Sequence, residues 1–311
     1  MKFSSIYRQD SLKLGLILNL IDPKIGGVLF SRDRRTRKST SIRALQSLLP
    51  SIVKLSKSNL KNHSTKLIGS KVPLVELPLR ATEDRICRTI DIEKVLSSRE
   101  KSFEAGLLSK ANRRILYVDE INLLDDHLVD LLLDSAASRW NTVERENISI
   151  THPADFILAG SFNPEEGELR PQLLDRFRLS ISVTTPKSVS LRVKILNQVV
   201  KSERSSSPLN FDSVLRKRIQ IAKKRAVKIS KKYKRLIAQI CVNLQVDRLR
   251  RDIVLNRASR ALAAWNRRNY VSLKDIETVL PFCLSHRLRK DPLDTSSDSI
   301  DRIFEAFFDL L

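Results

Sequence analysis

The sequence predicts an α/β fold, a parallel sheet flanked by helices, followed by an all-α C-terminal part. Two buried strands and one long helical stretch carry that prediction. Ile115-Leu-Tyr-Val118 is an unbroken apolar and aromatic run, closed at once by Asp119 and Glu120. Such a run has the pattern of a parallel strand covered on both faces. Phe156-Ile-Leu-Ala-Gly160 repeats the pattern and runs on into Ser161-Phe-Asn163. From residue 209 onward glycine is absent and apolar residues recur at helical spacing.

Taken in order, residues 11–20 read as an apolar-faced helix that Asp22-Pro23 stops. A short strand is expected over 25–30, then a polar loop over 31–40 and an amphipathic helix over 41–49, ended by Pro50. Residues 51–72, rich in Ser, Lys and Asn, read as a surface connection. A short strand with proline near its ends follows over 72–78, with helical pieces at 91–96 and 106–112. After the Asp119-Glu120 strand come a helix over 125–137, a hairpin across 142–150 and the strand at 156–160. Residues 168–177 offer Arg170 and Arg176 on a short helix. Composition shifts at Thr184-Thr-Pro186; residues 187–206 give a helix, and Ser205-Ser-Ser-Pro208 a linker. Four helices are expected beyond it, over 211–229, 230–244, 250–265 and 272–284. The expected division is 1–186 as a nucleotide-binding α/β domain, 187–208 as a connection and 209–311 as a helical domain.

The 311 residues suffice for a substantial core and hold no stretch of 18 apolar residues, so no membrane-spanning helix is expected. Folded-looking sequence begins within the first ten residues, which argues against a secretory signal or a long Arg/Ser-rich presequence. Cys87, Cys241 and Cys283 are far apart, suiting a reducing compartment rather than a disulfide or zinc framework. His127 and His152 are equally isolated and read as structural. Two values stand out: a net charge of +22, and only 7 glycines, about 2% where roughly 7% is usual. The charge would ordinarily suggest a nucleic-acid partner. The basic stretch from Arg216 to Arg235 lacks interleaved aromatics, however, and reads as solvated helix surface, so no nucleic-acid partner is expected.

The carboxyl edge of an open parallel sheet is where ligands bind. In phosphate-loop ATPases an aspartate there holds Mg²⁺, and the next acid acts on the attacking water; Asp119 and Glu120 stand in that position. Strand, loop, Lys38-Ser39 and helix is the order a phosphate-binding loop requires. Lys38 is where the β/γ-phosphate lysine belongs, and Ser39 where the Mg²⁺ hydroxyl belongs. Asn163, at the tip of the neighbouring strand, is placed to orient water or touch the γ-phosphate. Arginine is the residue type that stabilises a transferring phosphoryl group.

On these residues the chain closely resembles the AAA+ ATPase subunit I family of magnesium chelatases, from about residue 4 to 295. The specific stretches are Asn19-Leu-Ile-Asp-Pro-Lys-Ile-Gly-Gly27, the run from Ile115 to Asp130, the run from Asn163 to Phe177, and His286-Arg-Leu-Arg-Lys-Asp-Pro292. The resemblance implies an AAA+ phosphate-loop domain followed by a helical lid, with ATP and Mg²⁺ as cofactors. It implies a homo-oligomeric ring, commonly a hexamer, working with a second ring-forming subunit and a large porphyrin-binding subunit. The large subunit would carry the tetrapyrrole, so no tetrapyrrole site is expected here. By the family pattern Arg32, Asp33, Arg34, Arg35, Thr36, Arg37, Lys38, Ser39 and Thr40 form the phosphate loop. Ser39 and Asp119 then serve the metal, Asp119 and Glu120 are the Walker B pair, and Asn163 is sensor 1. Arg176 is the inter-subunit arginine finger, and Arg250 is the sensor 2 arginine. A chlorophyll-pathway subunit without a presequence is expected to be plastid-encoded and stromal, or else bacterial and cytoplasmic.

The sequence departs from that pattern in one direction. The family loop reads Gly-Asp-Arg-Gly-Thr-Gly-Lys-Ser, whereas Arg32, Arg35 and Arg37 stand here at all three glycines. Arg8, Arg80, Arg88, Arg99, Arg114, Arg139, Arg178, Arg248, Arg251 and Arg267 likewise stand where the family usually has glycine, as does Asn147. Restoring glycine at these arginines would bring its usage close to ordinary and remove more than half of the net charge. Two readings follow: a gene whose arginine codons are edited or read as glycine, or an ATPase-inactive scaffold subunit of the same ring.

Overall fold

The computed structural model describes residues 10–32, 52–55, 67–70, 74–78, 81–90, 103–145, 148–164, 169–170, 173–174, 177–183, 188–190, 193, 197, 211–246, 249–285, 288 and 296–310. Helix α1 spans Asp10–Ile21 and is buried on almost every side. Asp22 then accepts a hydrogen bond from Lys24 N at 3.0 Å and caps a 3₁₀ turn, Pro23–Ile25. The expected strand over 25–30 therefore begins later: β1 is Val28–Arg32. Gly26, at φ 110°, turns the chain into it with a backbone that L side chains rarely adopt.

Strands β2 (Ile52–Leu55) and β3 (Leu67–Ser70) pair antiparallel, so the stretch expected to be a plain connection contributes a two-stranded sheet. Strand β4 is Val75–Leu77, followed by a short helix, α2 (Glu83–Ile86). Strands β5 (Arg88–Ile90) and β6 (Phe103–Ala105) form a second antiparallel pair. Helix α3 (Leu107–Ala111) leads into β7, Ile115–Val118. Helix α4 (Asp126–Ser138) runs into the hairpin of β8 (Trp140–Arg145) and β9 (Ile148–Pro153). Strands β10 (Ile157–Phe162) and β11 (Leu179–Val183) complete the α/β part.

The main sheet has the order β11-β1-β10-β7-β4, every pair parallel. Side chains alternate between its faces along each strand. Ile115, Tyr117 and Ala159 join the core under α1, while Leu116, Val118 and Leu158 join the core under α3 and α4. Burial on both faces is why these strands read as continuous apolar runs. Helix α4 contributes Leu128, Val129, Leu132 and Leu133, one stripe along one side of the helix.

The remainder is helical: α5 (Phe211–Lys224), α6 (Lys231–Asn243), α7 (Arg250–Trp265), α8 (Leu273–Leu284) and α9 (Ser296–Phe308). Helix α7 lies at the centre, and α1 packs against both α7 and α5, so one apolar core runs from the sheet into these helices. Gly15 lets α1 approach the sheet closely; a Cβ there would lie 2.2 Å from Ile181 Cδ1. Helix α5 stops at Lys224 instead of continuing to 229, because Lys228 pairs with Tyr270 in an isolated parallel bridge. At the start of α8 the buried Asp275 accepts from Ser272 N and Oγ, each at 2.9 Å, and from both terminal nitrogens of Arg268.

The expected helices over 41–49 and 91–96, the loop residues 33–40, the linker 205–208 and Arg176 lie outside the described residues. No described helix is long and apolar enough to cross a membrane.

Candidate active site

Sheet order alone brings three expected site segments to one edge. Strand β10 lies between β1 and β7, and all three run parallel, so their carboxyl ends emerge side by side. Val118 is in register with Gly160, and Ser31 with Phe162. One step further, Asp119 and Glu120 leave β7, Asn163 leaves β10, and Arg32 closes β1 into the loop that bears Lys38 and Ser39. Asn163 is fully buried, and Asp119 and Glu120 are half-buried. Strand, acid pair and asparagine thus stand as the sequence predicts them.

The sequence pattern did not single out the two hydroxyls that hold the acid. Ser161 Oγ donates to Asp119 Oδ1 at 2.5 Å, and the Tyr117 hydroxyl donates to the same oxygen at 2.7 Å. The Tyr117 hydroxyl also lies 3.2 Å from Ser161 Oγ, and Glu120 N donates to Ser161 Oγ at 3.3 Å. Ser161, at 0% exposure, therefore ties the carboxylate of one acid to the backbone of the next. Both bonds to a charged acceptor belong to the stronger class. A period-two reading could have found them: residues 117 and 119 share a face, and a serine amid the apolar run of β10 is out of character.

Glu120 has φ 51° and ψ 56°, a left-handed conformation for a non-glycine residue. Holding it costs about 1–3 kcal/mol, and such outliers cluster at functional sites. The bend turns the chain at once from β7 into the 3₁₀ turn Ile121–Leu123. Beyond it a cavity of about 460 Å³ is lined by Thr82, Glu83, Leu123, Asp125 and His127. His127 Nε2 is 3.0 Å from Glu83 Oε2 on the surface, and the buried His152 ring meets Asn141 at 3.3 Å. Among the described residues no cluster of three or more His, Cys, Asp or Glu could hold a metal by itself.

The arginines are dispersed. Arg170 forms an ion pair with Asp126 at the start of α4 and is otherwise exposed. Arg250 opens α7, also exposed. Cys87, Cys241 and Cys283 are all buried, and none is in a disulfide. Burial, reinforced by the neighbouring Asp252 carboxylate, pushes the Cys241 thiol up to about 12.

A parallel sheet in this order, with an acid pair and a buried asparagine at its carboxyl edge and a helical part behind it, has recognisable relatives. A family profile described as "Magnesium chelatase, subunit ChlI" matches residues 28–170, and one described as "AAA lid domain" matches 234–305. The magnesium-chelatase subunit ChlI of Cyanophora paradoxa is 50% identical, over 98% of this chain and 96% of its own length. That of Olisthodiscus luteus is 51% identical, over 99% of this chain and 96% of its own. The chain belongs to the magnesium chelatase subunit ChlI family. The chloroplastic ChlI of Chlamydomonas reinhardtii, 51% identical over 98% of this chain, is longer, with 79% of its length covered. A solved structure of the complex between subunits BchI and BchD of magnesium chelatase, from a cryo-EM reconstruction, aligns with a TM-score of 0.56 at 42% identity. The alignment covers 96% of this chain and 99% of that one. The chain is accordingly an AAA+ enzyme subunit of the chelatase kind, with its place in chlorophyll biosynthesis.

Proposed function

We propose that this chain is the ATP-driven motor that enables Mg²⁺ insertion into protoporphyrin IX, the tetrapyrrole being held by a separate large subunit. The observation that carries the reading is the Asp119–Glu120 pair. It is fixed by two hydroxyls at the carboxyl edge of the sheet, one strand away from the buried Asn163. The residues at that edge fit a magnesium-bound nucleotide: Asp119 would take the metal through water, Glu120 would polarise the attacking water, and Asn163 would orient it. A bound nucleotide would supply the phosphoryl group to be hydrolysed. Tyr117 and Ser161 keep the Asp119 carboxylate aimed, and the left-handed turn at Glu120 brings the second acid to the same edge. Ser39 and Lys38 would complete the metal and phosphate contacts, with Arg176 reaching a neighbouring subunit and Arg250 acting from α7.

The loop, as spelt, does not fit. A phosphate cradle requires glycine so that its N–H groups can close on the phosphates. Arg32, Arg35 and Arg37 would place three long side chains there. A chain that keeps them would be an ATPase-inactive ring partner, the second reading. We assign 1–186 to the nucleotide-binding part, 187–208 to the connection and 209–311 to the helical part. The working assembly is a homo-oligomeric ring, a hexamer, that docks a second ring-forming subunit. The likeness to a chain from a BchI–BchD complex supports that partnership, and the chloroplastic relatives support a plastid location; a stromal place and a plastid gene are part of the same proposal.

The test is reconstitution of the chain purified from its source with the other two chelatase subunits, following magnesium-protoporphyrin fluorescence. Product that requires both this chain and ATP is expected. Equal product without the chain, or without ATP, would overturn the reading.

A further inference from the structure

We infer that the arginines encoded at 32, 37, 139 and 267 are glycine in the working protein, which restores both glycines of the phosphate-loop sequence. At 32 and 37 the inference rests on the nucleotide reading above; at 139 and 267 it rests on backbone geometry alone. Helix α4 ends with Arg139 at φ 66°, its N–H bonded to Ser135 O at 2.9 Å. That is the left-handed C′ closure of a helix, from the C′ N–H to the carbonyl four residues back. Helix α7 ends with Arg267 at φ 60°, with Arg267 N bonded to Ala264 O at 3.0 Å and Arg268 N to Ala263 O at 2.9 Å. Those two bonds are the paired closure of a Schellman motif, whose C′ residue is usually glycine. The residues otherwise enriched at positive φ are Asn, Asp and His, not Arg.

Among the described residues five non-glycines have positive φ, against a single glycine, Gly26; of the three arginines Arg139 and Arg267 close helices, while Arg113 N bonds to Asp155 O and is not a site of the exchange. Gln245 closes α6 in the same way, so a side chain can be carried at such an end. What singles out arginine is repetition together with scarcity, for the whole chain holds only 7 glycines. Neither side chain explains its own presence. Arg139 makes one ion pair, to Asp155 at 3.6 Å, with both partners substantially exposed, where such pairs contribute little. Arg267 adds like charge near Arg218, which already stacks over the Trp265 ring at 3.8 Å. The same exchange meets the phosphate loop. Strand β1, loop, Lys38-Ser39 has the order of that motif, which needs glycine at 32 and 37, where arginine is encoded. Exchange at these four sites accounts for two strained helix ends and the two missing phosphate-loop glycines, and it raises the glycines from 7 to 11 and lowers the net charge from +22 to +18. Arginine and glycine codons can differ in a single first base, so the exchange needs one base change, or one altered decoding, per site.

The experiment is peptide mass spectrometry of the chain purified from its source organism. A protease that cleaves after acidic residues keeps digestion independent of arginine. Peptides spanning 32, 37, 139 and 267 are expected at masses lower by one arginine-to-glycine difference per site. Arginine at 139 or 267 would overturn the inference. ATP binding by the same preparation separates this inference from the functional reading. Glycine at all four sites without ATP binding would refute the motor while leaving the exchange in place. Arginine throughout with tight ATP binding would do the reverse.

Discussion

Replacing Ser161 with alanine removes one fully buried hydroxyl and leaves the shape of β10 almost unchanged. The hydroxyl gives a 2.5 Å bond to a carboxylate oxygen and receives the Glu120 N–H at 3.3 Å. Hydrogen bonds to charged groups contribute about 1.5–3 kcal/mol, and a donor left without a partner costs about 1–3 kcal/mol. The Tyr117 hydroxyl remains on Asp119 at 2.7 Å and offsets part of that loss. Ser161→Ala should therefore cost about 2–3 kcal/mol in urea unfolding at an unchanged m value. Tyr117→Phe, which leaves the serine bond in place, should cost about 1 kcal/mol. A positioning role makes a second demand that simple packing does not. In a chain carrying Arg32→Gly, Arg35→Gly and Arg37→Gly, Ser161→Ala should weaken stabilisation by Mg²⁺–ATP about tenfold in apparent affinity, with nucleotide lacking metal affected less. A Ser161→Ala chain within about 0.5 kcal/mol of its parent, with the same magnesium dependence, would refute the argument.

Further perturbations probe the scaffold. Asp275→Ala removes the buried acceptor for Ser272 N and for Arg268, whose guanidinium is 39% exposed and can turn to water, so unfolding free energy should fall by about 1–3 kcal/mol, read by chemical denaturation. Gly106→Ala places a Cβ 1.9 Å from the Cys87 carbonyl oxygen, a backbone atom that cannot swing aside, and should cost about 1–3 kcal/mol or more. With its pKa raised to about 12, Cys241 should stay unlabelled by thiol reagents at pH 8 in the folded chain and react only on unfolding. The sign for stability follows from the same shift. The folded thiol binds its proton more tightly than the unfolded one, whose ordinary value is 9.0. Its contribution is therefore complete below pH 9 and lost as pH rises towards 12, and Cys241→Ala should flatten that part of the alkaline unfolding curve.

The sheet edge was legible because parallel strands buried on both faces leave a strong local signature. Ile115–Val118 and Phe156–Gly160 carry it, and the acids and Asn163 follow directly in sequence. Strands β2 and β3 were not legible, since their apolar runs (Ile52-Val53 with Leu55, and Leu67-Ile68) are too short to stand out from the Ser/Lys/Asn-rich stretch that holds them. The end of α5 was hidden for another reason. Apolar spacing continues past Lys224, but Lys228 N bonds to Asn269 O at 2.9 Å and Val271 N to Lys228 O at 3.1 Å. A tertiary pairing there overrides the helical period. Helix α9 has a pronounced apolar face, yet it lies in a tail to which the sequence pattern gave no element. In the site, the charged groups stand out in the sequence, whereas the hydroxyls are marked only by the strand period and by one serine out of character. Tyr117 and Ser161 acquire their role only through the register that sets β7 beside β10.

The central claim is that the acid pair at the end of β7 hydrolyses ATP. The direct measurement is Glu120→Gln in the chain with glycine at 32, 35 and 37, recording ATP affinity and ATP turnover on one preparation. Turnover should fall by about 10²–10⁴, the contribution of a positioned base, while ATP stays bound at the parent's affinity. Turnover within a few-fold of the parent would contradict the assignment and move the hydrolytic site away from this edge of the sheet.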